Sequence, residues 1–147
     1  MLESTRATLF ILINMIKNEI QRIIIDKIKK ALFRGIVLAS VRSGKTRQLL
    51  TAIREMSDND LNTNILVGYP NTDIKNSWID ECEKLEYYPN IIYSTFKSLK
   101  KVQDNKYDFI VMDESHTIPP DNILPIVSKL VKNNDKVILA SGTYSED

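Results

Sequence analysis

Cysteine and long apolar runs are both scarce in this chain. The one cysteine, Cys82, has no partner for an internal disulfide, so a reducing compartment is the simple interpretation, and Cys82 is expected to flank the core. An apolar stretch over residues 7–16 is too short to span a bilayer. It leads into Lys17, Asn18 and Glu19, so no small-residue cleavage site follows it. We therefore expect a cytoplasmic protein that does not associate with a membrane.

A strong charge of either sign is also missing. The chain has 20 Lys and Arg against 19 Asp and Glu, a net charge of +1. This balance excludes an overall basic coat, so any nucleic-acid contact must come from a local patch. With 147 residues, of which 43% are hydrophobic and 27% charged, the chain has the size and composition of one globular domain. The sequence contains no internal repeat and no low-complexity tract.

The N-terminal segment has the spacing of an amphipathic helix, continuous or broken in two. Apolar residues recur at steps of three and four, at Leu9, Ile13, Ile16, Ile20, Ile24 and Ile28. Gly35 then begins the first strand. The sequence is accordingly divided into a helical segment, residues 1–34, which covers the sheet, and an α/β domain, residues 35–147.

Beyond Gly35, short apolar runs alternate with amphipathic segments. The strands are predicted over residues 35–39, 64–68, 90–94, 108–112 and 136–140. The helices are predicted over residues 45–56, 71–85, 95–101 and 120–131. This alternation predicts a three-layer α/β/α sandwich with a mainly parallel sheet. Ligands of such sheets bind beyond the carboxyl ends of the strands.

A candidate phosphate-binding loop follows the first strand directly, with the sequence Ser40-Val41-Arg42-Ser43-Gly44-Lys45-Thr46. Gly44 permits a close approach of the backbone, and the following helix presents its partly positive N-terminus. Lys45 would reach the β- and γ-phosphates, and the Thr46 hydroxyl would ligate Mg²⁺. Ala39 stands where this loop pattern usually has its first glycine. The alternative, a surface turn with an incidental Gly-Lys-Thr, is disfavoured by the preceding strand.

An acidic cluster, Asp113-Glu114-Ser115-His116, follows the strand predicted over residues 108–112. Asp113 is a natural partner for Mg²⁺, a hard cation that favours carboxylate and water. Glu114, one residue on, could polarise an attacking water. The alternative is an acidic loop that merely caps the strand. Together with the phosphate-binding loop, the cluster predicts a nucleoside triphosphatase.

The two nucleotide motifs resemble those of superfamily 2 helicases and translocases. Asp113-Glu114-Ser115-His116 is similar to their DExH box, and residues 39–46 are similar to their first motif. Three further segments have the same order and spacing as in that superfamily. They are Tyr69-Pro70-Asn71-Thr72 with Trp78, then Tyr93-Ser94-Thr95-Phe96, and then Ser141-Gly142-Thr143.

The resemblance implies a RecA-like domain that binds ATP and Mg²⁺. Lys45 and Thr46 would bind phosphate and metal, Asp113 the metal, and Glu114 would be the catalytic base. His116 would relay the state of the nucleotide to a coupling segment, Ser141, Gly142 and Thr143. Gln21 would read adenine, although a solvated helix glutamine is an equal alternative. Contacts to the backbone of DNA or RNA would come from Pro70, Asn71, Thr72, Ser94 and Thr95.

Superfamily 2 motors have two RecA-like domains, and the second supplies arginine fingers to the ATP site. This sequence resembles the first domain only, so we expect a second domain in cis or in trans to complete the site. Two alternatives remain open. One is a nonenzymatic module that binds nucleotide, nucleic acid or a partner with little hydrolysis. The other is an unrelated P-loop ATPase, which His116 and Ser141-Gly142-Thr143 disfavour.

Three lysines follow the last predicted nucleic-acid segment. Lys97, Lys100 and Lys101 could attract nucleic acid or form a solvated helix face.

Overall fold

The computed structural model describes residues 35–38 and 44–141, together with Arg22, Ile25 and Asp26. Those three residues are helical, and Arg22 donates to the Glu55 carboxylate at 2.6 and 2.7 Å. The rest of the predicted N-terminal helix lies outside the described residues. The proposed division at residues 34 and 35 stays a prediction.

Between Gly35 and Ser141, the described residues form five strands and three α-helices in alternation. The strands are β1 (Gly35–Leu38), β2 (Asn64–Tyr69), β3 (Asn90–Thr95), β4 (Phe109–Met112) and β5 (Val137–Ser141). The α-helices are α1 (Lys45–Met56), α2 (Thr72–Leu85) and α3 (Leu124–Asn133). Two short 3₁₀ helices span Phe96–Lys101 and Ser115–Thr117.

The strands form one sheet in the order β1-β5-β4-β2-β3, and every pairing in it is parallel. The predicted α/β/α sandwich with a parallel sheet is confirmed. The last strand, β5, lies between β1 and β4, the strands that precede the two candidate nucleotide motifs. All three therefore end at the same edge of the sheet.

The sheet separates two hydrophobic cores because successive side chains of a strand point to opposite faces. In β4, Phe109 and Val111 pack with α1 and α2, whereas Ile110 and Met112 pack with the first 3₁₀ helix and α3. The same alternation divides β2 and β5. Strands buried on both faces in this way consist of nearly continuous apolar residues, which is why they could be predicted from the sequence.

Helix α3 begins later than predicted. The sequence favours a start at Pro120-Asp121, but residues 120–123 form turns and the helix runs from Leu124 to Asn133. Pro125 lies in its first turn, where the missing N–H of proline leaves no helical hydrogen bond unmade. The 120–131 prediction is therefore wrong at its first residues.

Asn71 caps α2, and its replacement gives a test of this fold. The Asn71 side-chain oxygen accepts from the backbone N–H groups of Asp73 and Ile74 at 3.0 and 3.4 Å. We expect Asn71→Ala to lower the free energy of unfolding by about 1 kcal/mol, measured by urea denaturation. Asn76→Ala, the same exchange within the exposed part of α2, is the control and is expected to be neutral or slightly stabilising. Equal effects of the two substitutions would contradict the cap.

Within the described residues, no helix has both the length and the apolar character needed to cross a membrane. The cytoplasmic location expected from the sequence stays a prediction.

Candidate nucleotide-binding site

The candidate site lies where β1, β5 and β4 end side by side. Leu38, the last residue of β1, is in register with Ser141, the last residue of β5. Met112, the last residue of β4, is in register with Leu139 of β5. The ends of β1 and β4, the two strands that precede the candidate nucleotide motifs, therefore flank the end of β5.

Gly44 lies at the start of α1 in the left-handed region, with φ 82° and ψ 22°. A side chain is disfavoured in that conformation, so glycine is the suitable residue at this position. The Gly44 carbonyl accepts from the N–H of Gln48 at 2.9 Å, and among the described residues no side chain caps the helix. A glycine at the N-cap supplies no capping oxygen, which suits a helix N-terminus that binds an anion.

Lys45 follows in the first turn of α1 and contacts Asp113. Its side chain is 8% exposed and that of Asp113 2% exposed, and the lysine amine donates to Oδ1 of the carboxylate. Two further donors surround the same carboxylate. The Glu114 N–H donates to Oδ1 and the Trp78 indole N–H to Oδ2, each at 2.8 Å. Asp113 is thus a buried anion with a cation and two neutral donors around it.

The backbone of Asp113 is held by the neighbouring strand. The Asp113 N–H donates to the carbonyl oxygen of Gly68 in β2 at 2.8 Å. A Cβ placed at Gly68 would come within 2.8 Å of the Met112 thioether, so glycine leaves room for the Met112 side chain in its present position. The carboxylate is thereby fixed at the sheet edge from its backbone as well as from its side chain.

Glu114 adopts the left-handed backbone conformation, with φ 53° and ψ 45°, which is uncommon for a residue with a side chain. Thr117 stabilises this turn, because its N–H and its hydroxyl donate to the Glu114 carbonyl at 2.9 and 2.7 Å. Non-glycine residues in this region concentrate at functional sites. The Glu114 side chain is 15% exposed, and Nε2 of His116 lies 3.6 Å from its Oε1. Glu114 and His116 therefore form a second, more exposed pair beside Asp113.

Several predicted site residues fall outside the described part of the chain. They are Gln21, Ser40, Val41, Arg42, Ser43, Gly142 and Thr143. Thr46 is half-buried in the first turn of α1, next to Lys45. Ser141 is described through its backbone, at the end of β5.

The residues predicted to contact nucleic acid lie just after β2 and at the end of β3, at the same sheet edge as the site. Pro70 is half-buried and Thr72 exposed, while the side-chain oxygen of Asn71 is engaged in capping α2. Ser94 is buried, and its hydroxyl donates to the carbonyl of Thr95 at 2.9 Å, so that hydroxyl faces its own chain. Thr95 is half-buried.

Three lysines of the first 3₁₀ helix, Lys97, Lys100 and Lys101, are exposed. They lie on the segment that continues from β3, the edge strand of the sheet. The local basic patch that the sequence allows is therefore exposed beside the predicted nucleic-acid segments.

The donor set suits Mg²⁺. The described residues contain no group of three or more His, Cys, Asp or Glu side chains placed to hold a metal. Magnesium in phosphoryl-transfer sites requires less, because it keeps several waters and takes one or two carboxylates plus phosphate oxygens. Asp113 offers one such carboxylate beside Lys45, and Thr46 lies in the same first helical turn.

The sequence did not indicate the role of Trp78. The resemblance groups Trp78 with the segment Tyr69-Pro70-Asn71-Thr72, and in the structure Trp78 is fully buried. Its indole N–H reaches a carboxylate 35 residues away in the sequence. The one available signal was that the chain has a single tryptophan.

Two arginines near the phosphate-binding loop face α2 rather than the site. Arg47 donates to Glu81 at 3.1 Å. Arg54 donates to the Leu85 carbonyl at the end of α2 at 3.3 Å and lies over the ring of Tyr87, 5.3 Å from its centroid. Both therefore join α1 to neighbouring elements in this structure.

Cys82 takes no part in the site. It is buried in the core one turn after Trp78, and burial raises the pKa of its thiol. A raised pKa favours the neutral thiol over the nucleophilic thiolate. This agrees with a packing role for Cys82.

A family model described as thymidine kinase matches residues 35–145, about three quarters of the chain. The chain belongs to the thymidine kinase family. The match begins at β1 and extends past β5, so it includes both candidate nucleotide motifs. A comparison of the chain with curated proteins found no match.

A solved structure with a similar fold is the Sulfolobus solfataricus SWI2/SNF2 ATPase core in complex with double-stranded DNA. It shares 24% identity with this member of the thymidine kinase family, at a TM-score of 0.58 over 79% of the chain. The chain spans 29% of that structure's chain. Family and fold together make it a P-loop nucleotide-binding domain, of the kind that hydrolyses nucleotides or transfers their phosphoryl groups. The helicase activity suggested by the motifs stays a prediction.

Proposed function

We propose that this chain is the ATP-binding domain of an ATP-dependent helicase or translocase. In this proposal it hydrolyses ATP to ADP and phosphate with Mg²⁺ when a second RecA-like domain completes the site. The observation that carries the proposal is the adjacency of three strand ends. Strand β5 lies between β1 and β4, so its Ser141 end adjoins the ends of the two strands that precede Lys45 and the acidic cluster in the sequence.

The proposed chemistry relies mainly on charge and positioning, as is usual in phosphoryl transfer. Lys45 binds the terminal phosphates of ATP together with the N–H groups of the loop and the first turn of α1. Thr46 and Asp113 would hold Mg²⁺, which would neutralise charge on the phosphate oxygens. Glu114 accepts a proton from the attacking water. Its partial exposure supports this role, because the group must reach solvent as well as the phosphate.

Coupling to movement is proposed for the end of β5. His116 lies 3.6 Å from Glu114 and would relay the state of the nucleotide to Ser141, Gly142 and Thr143. This is supported by the register of β5, which ends beside the strands that bear both nucleotide motifs. A segment in that position would respond to changes at either motif.

Nucleic-acid contact is proposed at the ends of β2 and β3, through Pro70, Asn71, Thr72, Ser94 and Thr95. Hydroxyl and backbone groups of this kind bind phosphates without reading bases. The exposed lysines of the adjoining 3₁₀ helix would attract the phosphate backbone of DNA or RNA. The similar SWI2/SNF2 fold, solved with double-stranded DNA, supports this part of the proposal.

Phosphorylation of a nucleoside is the second candidate function, and the family match favours it. The same residues would serve, with one difference in the acceptor. Glu114 would accept the proton of a nucleoside hydroxyl instead of that of a water. The product made from ATP therefore separates the two candidates.

The test uses γ-labelled ATP with Mg²⁺, and the chain is assayed alone and with a second RecA-like domain in cis or as a partner. We expect slow phosphate release from the chain alone, and faster release when the second domain and DNA or RNA are both present. Thymidine is added in a parallel reaction and is expected to stay unlabelled. Transfer of label to thymidine, with no response to nucleic acid, would contradict the motor proposal and support the kinase.

A further inference from the structure

The orientation of the Asp113 carboxylate plane depends on the hydrogen bonds that its two oxygens accept. Rotation of an aspartate carboxylate about its last torsion is soft and roughly two-fold, so the backbone does not decide which oxygen faces a cation. In this structure Oδ1 accepts from Lys45 and from the Glu114 N–H, and Oδ2 accepts from Trp78. The indole is the only donor at Oδ2 among the hydrogen bonds of the described residues.

The environment of this hydrogen bond makes it strong. Trp78 is 0% exposed and Asp113 is 2% exposed. A hydrogen bond to a charged group is stronger than one between neutral groups, and a dry environment strengthens it further. Water cannot readily replace a donor removed from so buried a carboxylate. Loss of the indole N–H would therefore leave the carboxylate held through Oδ1 alone, with Oδ2 lacking a donor among the described residues.

We propose that Trp78 is a positioning residue for Asp113. Its indole N–H holds Oδ2, so that Oδ1 stays available to the cationic partner, whether this is Lys45 or the Mg²⁺ that accompanies a nucleotide. The inference rests on the proposed nucleotide site and adds to it a residue without contact to the nucleotide. Partners that orient a metal ligand typically contribute 10–100-fold to metal affinity or activity.

Trp78→Phe removes the donor and keeps an aromatic ring in the core. Binding of a fluorescent ATP analogue is followed by its anisotropy while Mg²⁺ is titrated. We expect the Mg²⁺ concentration for half-saturation to rise roughly 10–100-fold, with affinity for the analogue in EDTA unchanged. A purely structural role would not change the dependence on Mg²⁺ in this selective way.

Phe109→Leu is the matched control. Phe109 is a buried aromatic residue at the opposite end of β4 from Asp113, so its replacement disturbs the same strand without touching the carboxylate. It is expected to keep the wild-type dependence on Mg²⁺. A Trp78→Phe protein with wild-type dependence, or a Phe109→Leu protein with the same shift, would overturn the inference.

The wild-type chain supplies a second measurement, which decides the matter if Trp78→Phe does not fold. Trp78 is the single tryptophan, so the intrinsic emission reports on the indole beside Asp113. We expect this emission to change when Mg²⁺ is added to the analogue-bound protein, and no change at saturation would overturn the inference. Failure of the proposed function gives a different result. The wild type would then bind no analogue, or would bind it with an affinity that Lys45→Ala does not change.

Discussion

Lys45→Ala is expected to weaken binding of Mg-ATP roughly 10–100-fold. A hydrogen bond to a charged group contributes about 1.5–3 kcal/mol, and each 1.4 kcal/mol corresponds to a factor of about ten in affinity. The same substitution leaves Asp113 as a buried anion without its cation. Removing one partner of a buried pair typically lowers the free energy of unfolding by about 3–5 kcal/mol. Titration with labelled ATP and urea denaturation measure the two effects.

A double substitution separates the loss of affinity from the loss of stability. Lys45→Ala with Asp113→Asn removes the uncompensated charge, so we expect much of the stability to return while ATP affinity stays low. Lys84→Ala is the control on exposed lysines, because Lys84 lies on α2 with only a 4.0 Å contact to Glu81. It is expected to change stability by less than about 1 kcal/mol. Equal ATP affinity of wild type and Lys45→Ala would reject the phosphate-binding role.

Glu114→Gln is expected to lower ATP turnover by about 10²–10⁴-fold, the usual contribution of a general base, without loss of Mg-ATP binding. The amide keeps the size of the side chain but cannot accept the proton of the attacking water. Turnover is measured as phosphate release, with the second RecA-like domain and nucleic acid present. Glu83→Gln, an exposed position on α2, is the matched control and should retain full turnover. Unchanged turnover in Glu114→Gln would show that the base lies elsewhere.

Much of the fold could be predicted from the sequence because its signals are local. Helix α1 spans residues 45–56 as expected from the glycine-containing loop before it and the polar residues after it. Helix α3 was misplaced at its start because Pro120 and Pro125 both suit a first helical turn, and the later one forms it. The strand order was not predicted, since contacts between parallel strands join residues far apart in the sequence.

The candidate site could likewise be predicted only in part, where its signals are local in the sequence. Lys45 and Asp113 could be expected at one sheet edge, because each follows a buried strand of a parallel sheet. The bond from Trp78 to Asp113 could not, because periodicity in α2 predicts burial but not what a buried N–H meets. The left-handed conformation of Glu114 is likewise a tertiary effect, set by the turn that Thr117 completes.

The position of β1 at the rim of the sheet has a consequence for biosynthesis. In the described sheet β1 pairs with β5 alone, and Leu38 meets a partner 103 residues later, at Ser141. At 5–20 residues per second, a ribosome needs on the order of 5–20 s to make that intervening stretch. Until then β1 has no partner strand in the described sheet, although β2 and β4 are already present to pack against α1. The sheet edge that holds the candidate site is therefore completed only with β5, and a chain halted before Ser141 would contain both nucleotide motifs without the strand that joins them.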